Sequence, residues 1–237
     1  MYIIFFQVKH KHCLKFLAVR EEVSFDKATR MMDPHFEDSK LVLSGDISFS
    51  YQALEPEVNA FKKQFQDSLG TFLEKTNWVL IFSRENNFGK NKGIFIENNM
   101  VKIRTIEEKD IEFNCDDVVF ASSSDLEDNE HMKNMRSAYA FNRNRLVTFD
   151  SIEEMWALIS LSPHVVTDRY HPGIAALIVG AKLTLTKYPN ENVKMSGLNR
   201  MQHYGREEIR KMNEKAFDRL LQVVHKPKVV EHTVTSL

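Results

Sequence analysis

The strongest constraint on the fold of this chain is a set of short segments that are apolar at every position. Residues 78–82 (WVLIF) are continuously apolar, and residues 118–121 (VVFA) repeat the pattern. A strand with one solvent-exposed face alternates polar and apolar residues, so a continuous run predicts a strand covered on both faces, as in the middle of a parallel sheet. Amphipathic helical stretches lie between such runs. This alternation is typical of α/β proteins.

Helix periodicity and capping signals place further elements. Apolar residues recur at spacings of three and four between residues 58 and 72, which predicts one face of a helix. Ser151 and Glu154 form a capping box that opens another helix. The residues predicted to point inward from that second helix are Ile152, Met155, Trp156 and Ile159.

The rest of the chain yields shorter segments of the same kinds. We expect strands at 16–19, 41–43, 146–149, 164–167 and 183–185, and helices starting near 21 and covering 172–179 and 207–224. The core face of the last helix is predicted to consist of Ile209, Met212, Ala216, Leu220 and Val223. Residues 86–99 are predicted to form a loop or an irregular hairpin, and residues 122–124 a turn or a helix cap. Together the elements predict a Rossmann-like parallel sheet with helices on both faces from about residue 51.

Charge and cysteine content narrow the class of protein. The chain has 32 basic and 33 acidic residues, so no global field attracts nucleic acid or an anionic membrane. Cys13 and Cys115 are too few for a disulfide framework or a zinc site, and we expect no metal. We find no signal peptide, no apolar segment of membrane-spanning length and no Asn-X-Ser/Thr sequon. These features favour a cytoplasmic protein.

The most informative polar residues follow the predicted strand at 164–167. Arg169 offers a planar guanidinium that can bind a carboxylate or phosphate in two-point fashion. His171 supplies an imidazole, the side chain most often used for proton transfer, and lies beside a helix start, where backbone N–H groups favour an anion. In an open α/β sheet, ligands bind at the carboxyl ends of the strands.

Two further cations are candidates for the same site. Arg84 follows the strand at 78–82 and would reach the same crevice if the two strands are near each other in the sheet. Lys194 lies in the predicted loop 190–198 and would add charge to a phosphate site.

Each of these residues also has a purely structural interpretation. Asp168 and Arg169 could pair locally while His171 caps the helix. Arg84 could form a surface ion pair with Glu85, which is the commoner situation, and an exposed loop lysine is usually just solvated.

No phosphate-binding Walker loop, G-x-G-x-x-G, G-x-S-x-G or H-E-x-x-H motif occurs in the sequence. Nucleotide hydrolysis, dinucleotide-dependent redox chemistry and zinc proteolysis therefore have no positive support.

The residues around the candidate site resemble the closing motif of the polysaccharide pyruvyl transferase family. That motif joins an Arg-aliphatic-His segment to a small-residue helix and a lysine-containing loop. The matching segments here are 166–171 (VTDRYH), 175–180 (AALIVG) and 194–198 (KMSGL), with 17–24 (LAVREEVS) and 41–49 (LVLSGDISF) upstream. The resemblance covers roughly residues 14–200. Tyr170, Pro172 and Gly45 depart from the family pattern.

The resemblance implies the second domain of a two-domain enzyme of the glycosyltransferase-B type. Residues 1–50 would then be a remnant of the first α/β domain, residues 51–226 a Rossmann-like donor-binding domain, and residues 227–237 a mobile tail. A missing domain or a partner chain would cover apolar residues near the N-terminus, namely Phe5, Phe6, Phe16 and Leu17.

The resemblance also implies a reaction. The enolpyruvyl group of phosphoenolpyruvate would be transferred to a pair of saccharide hydroxyls as a ketal, in the biosynthesis of cell-surface polysaccharide, with no cofactor. Arg84 and Arg169 would hold the phosphate and carboxylate of the donor, Lys194 would add charge, and His171 would transfer a proton. Two alternatives remain open at this point: a sugar-nucleotide-dependent glycosyltransferase of similar architecture, and a truncated, non-catalytic module that binds an anion or a sugar.

Overall fold

The computed structural model describes residues 17–19, 22–31, 41–44, 55–84, 87–89, 91–123, 130, 145–187 and 193–224. The chain divides into two compact units, one formed by residues 1–47 with 207–237 and the other by residues 48–206. The first described strand and helix of each unit lie at or near the predicted positions.

The described elements are ten strands and six α-helices. The strands are β1 (Leu17–Val19), β2 (Leu41–Leu43), β3 (Val79–Phe82), β4 (Ile94–Glu97), β5 (Met100–Arg104), β6 (Asp110–Asn114), β7 (Val118–Ser123), β8 (Leu146–Phe149), β9 (His164–Thr167) and β10 (Lys182–Leu185). The helices are α1 (Glu22–Met31), α2 (Glu55–Leu69), α3 (Ile152–Leu161), α4 (Tyr170–Val179), α5 (Val193–Met201) and α6 (Arg206–Val224). Short 3₁₀ turns follow α2 and β6.

In the first unit, β1 and β2 form a parallel pair that α1 covers. Val19, Ala28 and Leu41 are buried together, with Phe25 packed against them. In the register of this parallel pair, Leu17 lies opposite Leu41. Both predicted strands and the predicted helix are therefore confirmed in this region.

Helix α6 confirms the predicted last helix but not all of its core face. Ile209 and Ala216 are buried, whereas Leu220 is 39% exposed. The neighbouring Phe217 and Leu221 are exposed as well. Phe5, Phe6, Phe16 and residues 225–237 lie outside the described residues.

The second unit contains a five-stranded, fully parallel sheet of order β10-β9-β3-β7-β8. Its first strand along the chain, β3, lies in the centre, and all four of its residues are buried, as the continuous apolar run predicts. In order of appearance along the chain, the strands read 5-4-1-2-3, which is the arrangement of a doubly wound Rossmann-like sheet. The order reverses between β3 and β9.

A three-stranded antiparallel sheet, order β4-β5-β6, covers one face of the parallel sheet. Ile94, Val101 and Ile103 from the small sheet join a buried cluster with Ile81 and Phe120 from the large one. On this face the described residues of the β3–β7 connection form strands rather than a helix, so the predicted helices are seen on the opposite face. Residues 86–99 were predicted to form a loop or an irregular hairpin because they are mostly polar. Strand β4 lies within this segment. Ser122 continues β7 rather than forming the predicted turn.

Helices cover the opposite face. Helix α4 packs against β9 and β10, and α3 packs against both α2 and α4. Ser151 and Glu154 form the predicted capping box, with a bond of 3.1 Å from the Glu154 N–H to Ser151 Oγ. Ile152 is 57% exposed, contrary to the prediction, because its position in the first turn of α3 points away from the buried side of the helix. None of the described helices is long and apolar enough to span a membrane.

The two units divide the chain at residues 47 and 48 and again at residues 206 and 207. The predicted donor-binding domain, residues 51–226, includes α6, whereas α6 groups with the first unit from Glu207 onward. The interpretation of residues 1–50 as a remnant of a larger domain stays a prediction.

His164, at the start of β9, is a buried histidine beneath the antiparallel sheet. Its Nε2 lies 2.9 Å from Thr184 Oγ1, and its ring meets Phe113 edge to face with centroids 5.5 Å apart. Burial, with a smaller contribution from the charge of Lys182, lowers the pKa of His164 to about 4. The imidazole is therefore neutral at pH 7.

We predict that His164 makes the fold acid-sensitive. Its folded pKa lies below the ordinary value of 6.5, so the unfolded chain binds the proton more readily and stability falls as pH drops from about 6.5 to about 4. The loss should reach about 3 kcal/mol at pH 4. His164→Gln should flatten the dependence of the free energy of unfolding on pH, measured by urea denaturation, whereas His203→Gln at an exposed histidine should not. Equal pH dependence in His164→Gln and the unsubstituted chain would contradict the assignment.

Candidate functional site

The point where the strand order reverses is the natural ligand site of this sheet. β3 and β9 are neighbours in parallel register, with Phe82 opposite Thr167, so both chains leave the sheet side by side at its carboxyl edge. The connections from these two strands run to opposite faces, which opens a crevice between them. Arg84 follows β3 by two residues and Arg169 follows β9 by two residues. The sequence argument placed both arginines at one crevice only if their strands are neighbours in the sheet. The two strands are neighbours.

Asp168 is the centre of this edge. It is completely buried, and its carboxylate accepts hydrogen bonds from Ser83 Oγ at 3.0 Å and from Asn87 Nδ2 at 2.8 Å. The backbone N–H of Arg84 lies 3.2 Å from each carboxylate oxygen. The Asp168 N–H in turn donates to Phe82 O at 3.3 Å. A side chain directly after β9 thus fixes the backbone that leaves β3.

Asn87 extends the network to two more elements. Its amide nitrogen also donates to Thr186 Oγ1 at 3.0 Å, just beyond β10, and its amide oxygen accepts from the Gly93 N–H at 3.0 Å, just before β4. Asn87 is completely buried. The ends of β3, β9 and β10 and the start of the antiparallel sheet are therefore joined through one buried polar cluster.

Gly93 is required by this close packing. A Cβ at this position would lie 2.6 Å from Asn87 Oδ1 and would overlap the carbonyl oxygen of Lys187. Real Cβ atoms do not approach polar atoms so closely. The absence of a side chain lets the small sheet reach the Asn87 amide.

Burial raises the pKa of Asp168, and its hydrogen bonds oppose that effect. The N–H of Arg84, the amide of Asn87, the hydroxyl of Ser83 and the positive charge of Arg84 all favour the ionised carboxylate. A buried carboxylate that accepts several hydrogen bonds is costly to disrupt, because each donor left behind would be buried without an acceptor.

Arg169 is the N-cap residue of α4. Its N–H donates to Thr167 Oγ1 at 2.8 Å, and its own side chain does not cap the helix. The Arg169 side chain therefore does not cap the first turn of α4, and the start of a helix favours an anion. Arg84 and Arg169 are both partly buried.

His171 lies inside the first turn of α4 rather than before it. The helix begins at Tyr170, two residues earlier than predicted, because Pro172 in the first turn needs no intrahelical N–H partner. The His171 ring is exposed and packs edge to face on Tyr170, with centroids 5.8 Å apart. Since Arg169 occupies the N-cap position, His171 is not the helix cap. Gly180 ends the helix in a left-handed conformation with φ 76°, as predicted.

Lys194 is the second residue of α5, not part of a loop as predicted. The segment 193–201 is helical because Met195, Leu198 and Met201 recur at spacings of three and are buried. Helix α5 packs on α4, where Leu198 closely approaches Gly173. The Lys194 side chain is exposed, and its role at a phosphate site stays a prediction.

The sequence alone did not identify most of the residues that form this polar network. Asp168 was considered only as a local partner of Arg169, and Asn87 fell in a segment predicted to be irregular. Ser83, Asp168 and Thr186 share one signal, since each directly follows a strand of the parallel sheet. No sequence signal identifies Asn87, because its three partners are between 6 and 99 residues away.

We predict that Asp168→Ala destabilises the protein by about 2–4 kcal/mol. The reason is that three buried or partly buried donors lose their acceptor at once. Asp168→Asn keeps the shape and one acceptor oxygen and should lose less. Asp150→Ala, at an exposed aspartate beyond β8, is the matched control and should change the free energy of unfolding by no more than about 0.5 kcal/mol. Urea denaturation of the three variants measures these differences, and similar values for Asp168→Ala and Asp150→Ala would refute the role of the network.

Comparison with known protein families gives a match over most of the chain. A family model described as polysaccharide pyruvyl transferase matches residues 6–184, about three quarters of the chain. The match includes Arg84, Asp168, Arg169 and His171 and ends before Lys194. No curated protein and no solved structure matches the chain. The match covers the polar edge of the parallel sheet together with most of the strands that form it, and on this basis the chain belongs to the polysaccharide pyruvyl transferase family.

Proposed function

We propose that the protein transfers the enolpyruvyl group of phosphoenolpyruvate to a pair of hydroxyls on a saccharide, forming a ketal. Membership of a family of pyruvyl transferases acting on polysaccharide supports the reaction class. The observation that carries the proposal is the buried Asp168, which bonds the Arg84 backbone beside the strand that leads to Arg169. Two arginines are thereby held at the ends of adjacent strands, at the ligand crevice of a doubly wound sheet.

Two guanidinium groups suit this donor. Phosphoenolpyruvate carries a phosphate and a carboxylate on a three-carbon frame, and each anionic group can accept a bidentate pair of hydrogen bonds from an arginine. The start of α4 adds backbone N–H groups for one of the anions. Arg84 and Arg169 would thus bind and orient the donor, and Lys194 would add positive charge. Fixing both ends of a small substrate lowers the entropic part of the barrier.

The reaction needs proton transfers but no net oxidation. One sugar hydroxyl oxygen bonds to C2 of the donor while C3 gains a proton and becomes a methyl group. The second hydroxyl oxygen then bonds to C2, and the C2–O bond to phosphate breaks. The two hydroxyls lose one proton each. One of these protons is added to C3, and the other leaves with the phosphate.

His171 is the residue we assign to proton transfer. It follows Arg169 by two residues in the first turn of α4, and its exposed ring is accessible to a ligand at the sheet edge. A bound dianionic phosphate favours the imidazolium form, which can then protonate C3 or assist departure of phosphate. The expected compartment is the cytoplasm, and the expected product is a cell-surface polysaccharide.

We predict that phosphoenolpyruvate stabilises the protein and that this effect depends on Arg84 and Arg169. A ligand at 100 times its Kd should add about 2.7 kcal/mol to the free energy of unfolding. Arg84→Lys and Arg169→Lys keep the charge but lose the planar fork, so the Kd for phosphoenolpyruvate should rise at least tenfold. Thermal melts with and without the ligand provide the measurement.

The matched control is Arg145→Lys, since Arg145 precedes β8 at the amino edge of the same sheet and pairs with Asp116. Its response to phosphoenolpyruvate should equal that of the unsubstituted chain. Stabilisation by a nucleotide sugar instead would indicate a glycosyltransferase. Binding of a saccharide, with no effect of either donor, would indicate a non-catalytic module.

We predict that His171→Ala lowers kcat for phosphate release from phosphoenolpyruvate by about 10²–10⁴, the usual contribution of a general acid–base group. The Tm and its increase with phosphoenolpyruvate should be retained, because His171 is exposed and does not cap α4. A phosphate-release assay with a saccharide acceptor, run beside thermal melts, separates the two effects. Normal turnover in His171→Ala would remove the residue from the mechanism.

A further inference from the structure

A second concave site lies beside the edge strand β10. It is a cleft of about 520 Å³ between the 105–113 region of the antiparallel sheet, the outer side of β10 and the end of α5. This volume is within the usual range for ligand sites. All of its walls belong to the unit formed by residues 48–206. None of the residues predicted from the sequence to bind the donor lines it.

The chemistry of the cleft differs from that of the carboxyl edge. Two carboxylates, Glu107 and Glu112, balance two ammonium groups, Lys109 and Lys182, so the lining has no net formal charge. Lys109 is already paired with Glu107 at 2.8 Å. His164 adds a neutral imidazole, because its pKa is lowered to about 4. A phosphate or nucleotide would find no excess of positive charge here.

The remaining polar groups suit hydroxyls. Gln202 Nε2 donates to Asn199 Oδ1 at 2.9 Å, which orients both amides and leaves the Asn199 amide hydrogens and the Gln202 oxygen without a partner among the described residues. In the parallel ladder, the N–H groups of Lys182 and Thr186 bond toward β9, so the alternation turns the N–H and C=O of Leu183 outward. These groups supply both donors and acceptors, as recognition of hydroxyl groups requires.

An aromatic ring completes the lining. Phe113 is partly exposed and is held by its edge-to-face contact with His164. Sugar rings combine apolar C–H faces with polar edges, so a lining of one aromatic ring and several uncharged donors and acceptors matches them.

The cleft also extends toward the proposed reaction site. Its lining follows β10 as far as Leu185 and includes Thr105, which forms a β-bridge with Thr186. The hydroxyl of Thr186 accepts a hydrogen bond from Asn87, which also binds Asp168. One end of the cleft is therefore joined through three residues to the carboxyl edge between β3 and β9.

We infer that the cleft is a binding site for a neutral oligosaccharide segment of the acceptor, lying along β10 with one end toward the carboxyl edge. As an acceptor site, this assignment rests on the proposed function; as a saccharide site, it rests on the lining alone. Contacts to several sugar units would select a polymer over a free monosaccharide, because each unit adds hydrogen bonds that a single sugar cannot make.

The test is binding of neutral and acidic oligosaccharides of two to six units, screened on an array and followed by calorimetric titration of the best binder. We expect neutral oligosaccharides to bind and monosaccharides to bind at least tenfold more weakly. The double variant Asn199→Ala/Gln202→Ala should weaken binding at least tenfold, and Phe113→Leu should weaken it as well. The double variant Gln64→Ala/Gln66→Ala removes two exposed amides from α2 and should bind as the unsubstituted chain does.

Two outcomes would overturn the inference: no neutral oligosaccharide binds, whether or not acidic ones do, or the Asn199/Gln202 double variant binds normally. The readout is binding rather than turnover, so it is independent of the donor. A chain that binds the oligosaccharide but not phosphoenolpyruvate would refute the proposed function and keep the saccharide site. Stabilisation by phosphoenolpyruvate with no saccharide binding would do the reverse. Retention of that stabilisation in the double variant would show that it still folds.

Discussion

The buried carboxylate of Asp168 is the interaction on which the carboxyl edge of the sheet depends. Its hydrogen bonds come from a side chain and a backbone group directly after β3 and from the amide of Asn87. If the carboxylate lost one donor, a charge or a polar group would be left buried and unpaired. Separating the segments that the network joins is therefore costly. The two residues that we propose to hold the donor, Arg84 and Arg169, directly adjoin this network. The positions of the two arginines therefore depend on the buried Asp168 more than on contacts of their own side chains.

The antiparallel sheet has three roles in this structure. Its apolar side closes one face of the parallel sheet, with Ile94, Val101 and Ile103 in the shared core. Its start reaches the polar edge, because Gly93 carries no side chain and lets its N–H approach Asn87. The same sheet also forms one wall of the cleft beside β10. A single insertion between β3 and β7 thus contributes to the core, to the polar network and to a second concave surface.

The proposed donor site and the proposed acceptor site differ in their chemistry. Two arginines and the start of α4 lie at the point where the strand order reverses, which suits a small donor with two anionic groups. The lining of the cleft is balanced in charge and rich in amides, where a neutral saccharide is suited. Thr186 joins the two, since it pairs with Thr105 in the cleft wall and accepts from Asn87 at the edge. A polymer bound along β10 would present its end to the donor without competing for the arginines.

The sequence by itself determined the class of fold and the ends of the strands where polar residues gather. Continuous apolar runs such as 79–82 favour strands covered on both faces, and the Ser151–Glu154 capping box is local, so both were predictable. Strand order, the antiparallel sheet and the partners of Asp168 were decided only by the tertiary structure. Asn87 contacts residues 6, 81 and 99 positions away, and no local pattern encodes such pairings. Periodicity records which side of an element is buried, whereas the identity of the group that it meets depends on how distant strands are brought side by side.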